Sequence, residues 1–132
     1  MIGLDTNVLI RYIVQDDPKQ ARLATRALES QCTSESPGRI CGIVLCEVVW
    51  VLARGYGYDR QLVAAVIRRI LSSPELLVEE DEAVWQALKL YEQGTADFSD
   101  YLLGLLNLRA GSSPTLTLDQ KAAKESFFKL LK

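Results

Sequence analysis

Short apolar runs alternate along the chain with amphipathic stretches of helical length, and this alternation constrains the fold more than any other feature. The strand candidates are Met1–Leu4, Arg39–Cys41, Leu76–Val78, Thr115–Leu118 and Phe127–Leu131. The stretches between them repeat apolar residues at helical spacing. Strands that alternate with helices indicate a parallel sheet with helices on its faces, so the sequence predicts an α/β fold.

The amphipathic stretches have recognisable helix starts. Asp17 before Pro18 is an N-cap followed by a first-turn proline, and Asp59 and Asp81 are placed to cap two later helices. The predicted helices extend over about Asn7–Val14, Pro18–Gln31 and Ile43–Arg54, from Asp59 to Leu71, from Asp81 to about Tyr91, and over Phe98–Ala110, with a short one after Asp119. The strongest breaks contain glycine, serine or proline and are short, so residues 1–132 are predicted to form a single domain.

The composition indicates a globular protein outside the membrane. The 132 residues are 48% hydrophobic and 24% charged, which is enough for a core of its own. No apolar run approaches the roughly 18 residues that a membrane span needs, and no basic leader precedes Asp5. We therefore expect a soluble, cytoplasmic protein with no membrane partner.

The chain contains no histidine, and this absence limits its chemistry. Ser-His-Asp catalysis, Cys-His catalysis and histidine-containing zinc sites are excluded. Three cysteines without CxxC spacing form neither a zinc knuckle nor a disulfide framework, and we expect Cys41 and Cys46 to be buried thiols. Any chemistry must use carboxylates, Lys or Arg, hydroxyls, or a metal with oxygen ligands.

Aspartates follow two of the strand candidates directly. Asp5 comes after the first and Asp119 after Thr115–Leu118. Functional groups in a parallel sheet collect at the carboxyl ends of its strands, which predicts that both carboxylates stand on one edge. The alternative is that each merely caps the helix behind it.

Three further acids lie in or before apolar helices. Glu47 is the one charged residue between Ile43 and Leu52, so we expect it to be buried and therefore protonated, paired or metal-bound. The alternative is a partly solvated glutamate near the start of its helix. Asp97 and Asp100 have the spacing of an N-cap and the N3 position, so Asp97 is either a cap or a ligand, and Asp100 precedes a long apolar run.

Together these acids predict a carboxylate cluster that needs a cation. Like charges packed closely raise one another's pKa unless a cation neutralises them. Oxygen ligands suit Mg²⁺ or Mn²⁺, which can activate water and polarise a phosphodiester.

Four segments carry a family resemblance. They are Leu4–Ile10 (LDTNVLI), Cys46–Leu52 (CEVVWVL), Ala96–Leu102 (ADFSDYL) and Thr117–Asp119 (TLD). In order and spacing they resemble the PIN-domain ribonucleases, and among them the small VapC-type toxins of toxin–antitoxin pairs. Leu118 stands where the family often has phenylalanine.

The resemblance implies a fold and a site. It implies a three-layer α/β/α sandwich around a parallel five-stranded sheet. The acidic quartet falls on Asp5, Glu47, Asp100 and Asp119, which would be both catalytic and metal-binding, and Asp97 matches an additional acid that would join them at the metal. Thr6, Asn7 and Thr117 would support the site. The activity implied is Mg²⁺- or Mn²⁺-dependent endoribonuclease cleavage by metal-activated water, leaving a 5′-phosphate and a 3′-hydroxyl.

The resemblance also implies partners: an RNA substrate such as tRNA or rRNA, a cognate antitoxin and a second copy of the chain. Residues 18–70 carry eight basic and four acidic side chains, whereas residues 75–100 carry eight acids and one lysine. A basic rim beside an acidic site is one interpretation, and ordinary solvated helix faces are the other. The candidate RNA-contacting residues are Arg11, Arg54, Arg60, Lys121 and Lys124. Self-association is expected through the helices that carry Trp50, Tyr56, Tyr58 and the face from Val63 to Leu71.

Rival functions remain at this stage. A phosphoacceptor receiver domain needs an acidic pair after its first strand, where this chain has Asp5 alone. A haloacid-dehalogenase-like phosphatase needs a second aspartate two residues after its first aspartate, where this chain has Asn7. A PIN nuclease of RNA processing and a PIN scaffold used only for binding are further alternatives.

Overall fold

The computed structural model describes residues 1–132, which divide into one unit of Met1–Asp81 and another of Glu82–Lys132. The helices are α1 (Thr6–Val14), α2 (Pro18–Gln31), α3 (Gly42–Trp50), α4 (Arg60–Ser72), α5 (Asp81–Gln93) and α6 (Phe98–Arg109). The strands are β1 (Gly38–Ile40), β2 (Leu76–Val78), β3 (Thr115–Thr117) and β4 (Phe128–Leu130). A π-helical turn over Val51–Gly55 follows α3, and a 3₁₀ turn over Ala122–Lys124 precedes β4.

The first unit is built on a parallel pair of strands. β1 pairs with β2 so that Gly38 lies opposite Leu76. The chain start joins them through a parallel bridge between Gly3 and Arg39, in which the Arg39 N–H donates to the Ile2 carbonyl at 2.8 Å. The Leu4 N–H donates in turn to the Arg39 carbonyl at 3.0 Å. The predicted first strand is therefore present as a short bridged segment, and it delivers Asp5 to the start of α1.

Helix starts in this unit follow the predicted caps. The Asp17 carboxylate accepts from the Gln20 N–H at 3.0 Å, and the Asp59 carboxylate accepts from the Leu62 N–H at 2.8 Å. These bonds satisfy backbone donors that the first turn of a helix leaves without a partner. The helix starts predicted at Asp17 and Asp59 are confirmed.

Glu79, just after β2, holds the start of α3. Its Oε1 accepts from the Gly42 N–H at 3.0 Å, and its Oε2 pairs with Arg39 at 3.0 Å. The carboxylate therefore caps α3 from a different segment, because the residue at the N-cap, Cys41, makes no side-chain cap bond. The sequence pattern did not reveal this role for Glu79.

The core of the first unit lies where α3 and α4 meet the sheet. Its fully enclosed side chains, at 0% exposure, are Ile40, Leu45, Val48, Leu52, Val63 and Ile67. The expectation that Cys41 and Cys46 are buried is wrong, since both are half-buried while Cys32 is the buried thiol. Cys41 is the N-cap residue before α3, and part of the helix faces solvent near Cys46. Burial still raises the pKa of the Cys46 thiol to about 11.

The second unit pairs β3 with β4 in parallel, with Thr115 opposite Phe128. The Asn107 side chain donates to the Thr115 hydroxyl at 3.0 Å and ties the end of α6 to β3. Tyr91 of α5 meets Phe98 of α6 edge-on, with ring centroids 6.0 Å apart. Gly104 lies buried in α6 beneath the rings of Phe127 and Phe128.

Two expectations are corrected or left open by these elements. The strands form two separate parallel pairs of three residues each, so the five-stranded sheet stays a prediction. Asp81 is the first residue of α5 rather than its cap, and Glu80 before it has a left-handed backbone with φ 54°. No helix is both long enough and apolar enough to span a membrane.

The close approach at Gly104 generates a prediction. Helix propensity alone would make Gly104→Ala stabilising by about 1 kcal/mol. A Cβ there would lie only 2.5 Å from Phe128 and 2.6 Å from Phe127, and overpacking costs about 1–3 kcal/mol. We expect the variant to unfold at lower urea concentration than the parent chain. Gly3→Ala, where a Cβ meets nothing within 4 Å, is the control, and a stabilised Gly104→Ala would contradict this packing.

Candidate functional site

The first group of predicted site residues lies where the chain enters α1. Asp5 has an extended backbone and is the N-cap of α1, with its Oδ1 accepting from the Thr6 N–H at 2.7 Å. The Thr6 hydroxyl donates to Glu47 Oε1 on α3, also at 2.7 Å. Thr6 therefore links two carboxylates that are 42 residues apart in sequence, and Glu47 Oε2 is left available. Asn7 lies exposed in the first turn of α1.

The expectation of a buried Glu47 is wrong. Val44, Leu45, Val48 and Val49 of α3 are buried, whereas Ile43, Glu47 and Trp50 are exposed. These three residues fall on one helical face, so α3 has an open side despite its apolar sequence. Periodicity failed here because Ile43 and Trp50 occupy solvent-facing positions that usually carry polar residues. A solvated glutamate, the alternative from the sequence, is what the structure contains.

The second group consists of Asp97, Asp100 and Asp119 around the start of α6. Asp100 is half-buried, and Asp97 and Asp119 are exposed. Burial raises the pKa of the Asp100 carboxyl, and the neighbouring charges of Asp119 and Asp97 raise it further. The Asp100 carboxylate is therefore destabilised by its surroundings in the absence of a cation.

Asp119 is held by the backbone that follows it. Its Oδ1 accepts from the Lys121 N–H at 2.8 Å and from the Ala122 N–H at 3.3 Å. Its own N–H donates to the Thr117 hydroxyl at 3.0 Å, which gives Thr117 a supporting role in this turn. Asp119 thus caps the turn with Oδ1, and its side chain is also within hydrogen-bonding reach of Asp100.

Asp97 occupies the N-cap position of α6 without capping it by its side chain. The backbone carbonyl of Asp97 instead accepts from Asp100 at 3.1 Å and from Tyr101 at 3.3 Å. The interpretation of Asp97 as a helix cap therefore loses its main support, because its carboxylate makes no cap hydrogen bond.

The basic residues predicted to contact RNA differ in whether other side chains of the protein already bind them. Arg11 donates to Gln20 at 2.6 Å, to Asp16 at 3.2 Å and to the Tyr56 hydroxyl at 3.3 Å, so it joins α1 to its neighbours. The hydrogen bond from Tyr56, followed by the charge of Arg11, lowers the pKa of Asp16. Arg60 is also engaged within the chain. The exposed cations are Arg54, Lys121 and Lys124.

The oxygen donors of these residues suit one kind of cation better than another. Neither unit gathers three acidic or thiol side chains into a ready metal cage. Mg²⁺ usually keeps several waters and takes one or two carboxylates rather than a full protein cage. Oxygen donors, no histidine and a destabilised Asp100 fit such an ion. They do not fit a tetrahedral zinc site.

Comparisons with known proteins give one finding. The model of a protein family described as the PIN domain matches residues 2–124 of the chain. Neither the curated proteins nor the solved structures contain a match.

The environment of Asp100 generates a prediction. Because its folded pKa is raised, the folded state holds the proton more tightly than the unfolded state, so stability falls as pH rises through this range. In metal-free buffer at pH 7, Asp100→Asn should increase the free energy of unfolding by less than about 1 kcal/mol, since water screens a half-exposed group.

Well below pH 3.8 Asp100 is protonated in the folded and in the unfolded state. The unfolding curves of the parent chain and of Asp100→Asn should therefore converge there. Asp119→Asn should give a gain that overlaps with the first, because both variants relieve the same repulsion. Fully additive gains, or a loss of stability in Asp100→Asn at pH 7, would contradict the electrostatic account.

Proposed function

The chain belongs to the PIN-domain family, and on this basis we propose that it is an endoribonuclease that depends on Mg²⁺ or Mn²⁺. PIN domains are in general nucleases, and PIN nucleases generally use divalent metals. The family match across residues 2–124 is the observation that carries the proposal. The receiver-domain and phosphatase alternatives are set aside by the same match.

The hydrogen bonds and the electrostatic environment of the acidic side chains support this assignment. Asp5 and Glu47 are joined through Thr6, and Asp100 is destabilised by Asp119 and Asp97. The unfavourable environment of the Asp100 carboxylate is typical of a functional site. A scaffold used only for binding gives no reason for this environment.

In the proposed mechanism Asp5, Glu47, Asp100 and Asp119 would hold the metal, and Asp97 would assist. A bound Mg²⁺ or Mn²⁺ would supply an activated water and polarise the phosphodiester, so that cleavage would leave a 5′-phosphate and a 3′-hydroxyl. Thr6 fixes Glu47 by hydrogen bonding to Oε1, which would leave Oε2 for the metal. The backbone of Lys121 and Ala122 fixes Asp119 through Oδ1 in the same way. These bonds orient ligands before the metal arrives.

The finer assignment is a VapC-type toxin. We propose a cytoplasmic single-domain protein of residues 1–132 with a five-stranded parallel sheet, acting on tRNA or rRNA, blocked by a cognate antitoxin and working as a homodimer. The alternative is a PIN nuclease of RNA processing that has no antitoxin. Growth arrest on expression, relieved by one co-expressed partner from the same operon, would favour the toxin.

The deciding experiment is cleavage of total tRNA and rRNA by the purified chain. We expect cleavage with Mn²⁺ or Mg²⁺ and none with EDTA. Asp5→Asn and Asp100→Asn each remove a ligand charge at nearly constant volume and should lower the rate at least 100-fold. Wild-type cleavage by either variant at saturating Mg²⁺ would remove that residue from the site. Metal-independent cleavage would overturn the proposed chemistry.

Thr6 supplies a separate test of how Glu47 is positioned. Thr6→Val deletes the hydroxyl bonded to Glu47 Oε1 and keeps the side-chain shape. We expect it to raise the Mn²⁺ concentration for half-maximal cleavage about 10- to 100-fold, the usual cost of losing a group that orients a ligand. Thr6→Ser keeps the hydroxyl and should restore the wild-type metal dependence. If Thr6→Val and Thr6→Ser need the same Mn²⁺ concentration for half-maximal cleavage, Thr6 has only a structural role.

A further inference from the structure

The open face of α3 carries two large apolar side chains on either side of a charged one. Ile43 is 75% exposed and Trp50 is 59% exposed, with Glu47 between them along the helix. Arg54 lies four residues after Trp50, in the π-helical turn, and is exposed without an ion-pair partner. The face thus combines a carboxylate assigned above to the metal, an indole ring and a free guanidinium group.

Trp50 lies close to Glu47 by helix geometry. Residues three apart on a helix have Cβ atoms about 5–6 Å apart, and helical side chains lean towards the N-terminus. Helix geometry therefore makes Trp50 and Glu47 neighbours on the exposed face of α3. A flat aromatic surface beside a phosphodiester-cleaving carboxylate is suited to an unpaired base, because every base has a π-face that can stack on it.

We propose that Trp50 is the stacking surface for an unpaired RNA base next to the scissile phosphate, and that Arg54 binds a phosphate of the same strand. This proposal rests on the RNA cleavage proposed above. It makes Trp50 a residue that contacts substrate and selects against bases locked in a duplex. Arg54 provides a charge contact that does not depend on the base.

The platform is rigid without the ligand. Val48 and Leu52, on the opposite side of the same segment, have 0% exposure and anchor it in the core. The π-helical turn is fixed by the Tyr56 N–H donating to the Val51 carbonyl at 3.2 Å and by the Tyr58 N–H donating to the Leu52 carbonyl at 3.0 Å. The backbone that carries Trp50 is therefore anchored before binding, and only the side-chain torsions lose freedom when a base stacks on the ring.

A second copy of the chain fits this face less well than a base does. A stable protein interface buries about 800 Å² on each partner, whereas one aromatic side chain supplies about 250 Å² at most. Interface centres are also depleted of charge, and here Glu47 lies between Ile43 and Trp50. A single base needs only the ring face, and its backbone charge is complementary to Arg54.

The test is binding of a fluorescein-labelled oligoadenylate of about 12 nucleotides, measured in Mg²⁺ on an Asp100→Asn background to prevent cleavage. Trp50→Leu keeps apolar bulk but has no π-face, and should raise Kd about 5- to 150-fold. Trp50→Phe should stay within about threefold of the parent. Trp85→Leu, at an exposed tryptophan of α5, is the matched control and should leave Kd unchanged.

Arg54 is tested by salt dependence. Losing one phosphate contact should lower the slope of log Kd against log salt by about 0.7 for a single strand. Arg54→Ala should show this change and Trp50→Leu should not. Arg22→Ala, an exposed arginine of α2, is the matched control and should keep the parent slope.

A spectroscopic measurement separates stacking from a remote effect. In Trp85→Phe, Trp50 is the sole tryptophan, and stacking of adenine should quench its emission as the oligonucleotide saturates the protein. Unquenched emission with normal binding would overturn the proposal. So would a loss of dimer mass in Trp50→Leu with unchanged RNA affinity, which would assign the face to a second copy.

Failure of this proposal and failure of the nuclease function have different signatures. A chain that cleaves RNA, loses cleavage in Asp100→Asn and binds equally with Trp50→Leu retains the nuclease function and rejects the stacking role. If RNA quenches the emission of Trp50 but the chain never cleaves RNA, the stacking role is retained and the nuclease function is rejected. Absence of both cleavage and RNA binding rejects both.

Discussion

Burial of one side of α3 is the constraint from which the proposed chemistry follows. Leu45, Val48 and Leu52 are completely enclosed and fix how the helix is rotated about its axis. A rotation of one residue would bring Glu47 inward, and an unpaired carboxylate in an apolar core costs several kcal/mol. The core therefore holds Glu47 outward, within reach of the Thr6 hydroxyl, and keeps Trp50 on the same open side.

The acids of the second unit are governed by mutual repulsion rather than by packing against a core. Asp100, Asp97 and Asp119 act unfavourably on one another, and the backbone contacts of Asp119 occupy only one of its oxygens. Such an arrangement exchanges some folding stability for affinity toward a cation, because the same repulsion that raises the pKa of Asp100 is relieved when a positive charge arrives. Local structure prepares each carboxylate, and the ion completes the neutralisation.

Local features of the sequence predicted local features of the structure. The caps at Asp17 and Asp59 have signatures within a few residues, and helix α2 has the predicted bounds. Tertiary features were not accessible in this way. An apolar run cannot show which of its residues face water, so Glu47, Cys41 and Cys46 were expected too deep. Asp97, expected to be either a cap or a ligand, occupies the N-cap position without a side-chain cap bond, and Glu79 caps a helix from a segment 37 residues away.

The π-helical turn after Trp50 has a consequence for how such a chain can diversify. A π turn contains about one residue more than an α turn. Loss of a single residue between Val51 and Gly55 would therefore restore an α turn and keep the segment beyond it near its present orientation relative to α3. The turn can thus lose one residue while Tyr56 keeps its hydrogen bond to Asp16 and the enclosed residues of α3 stay in place.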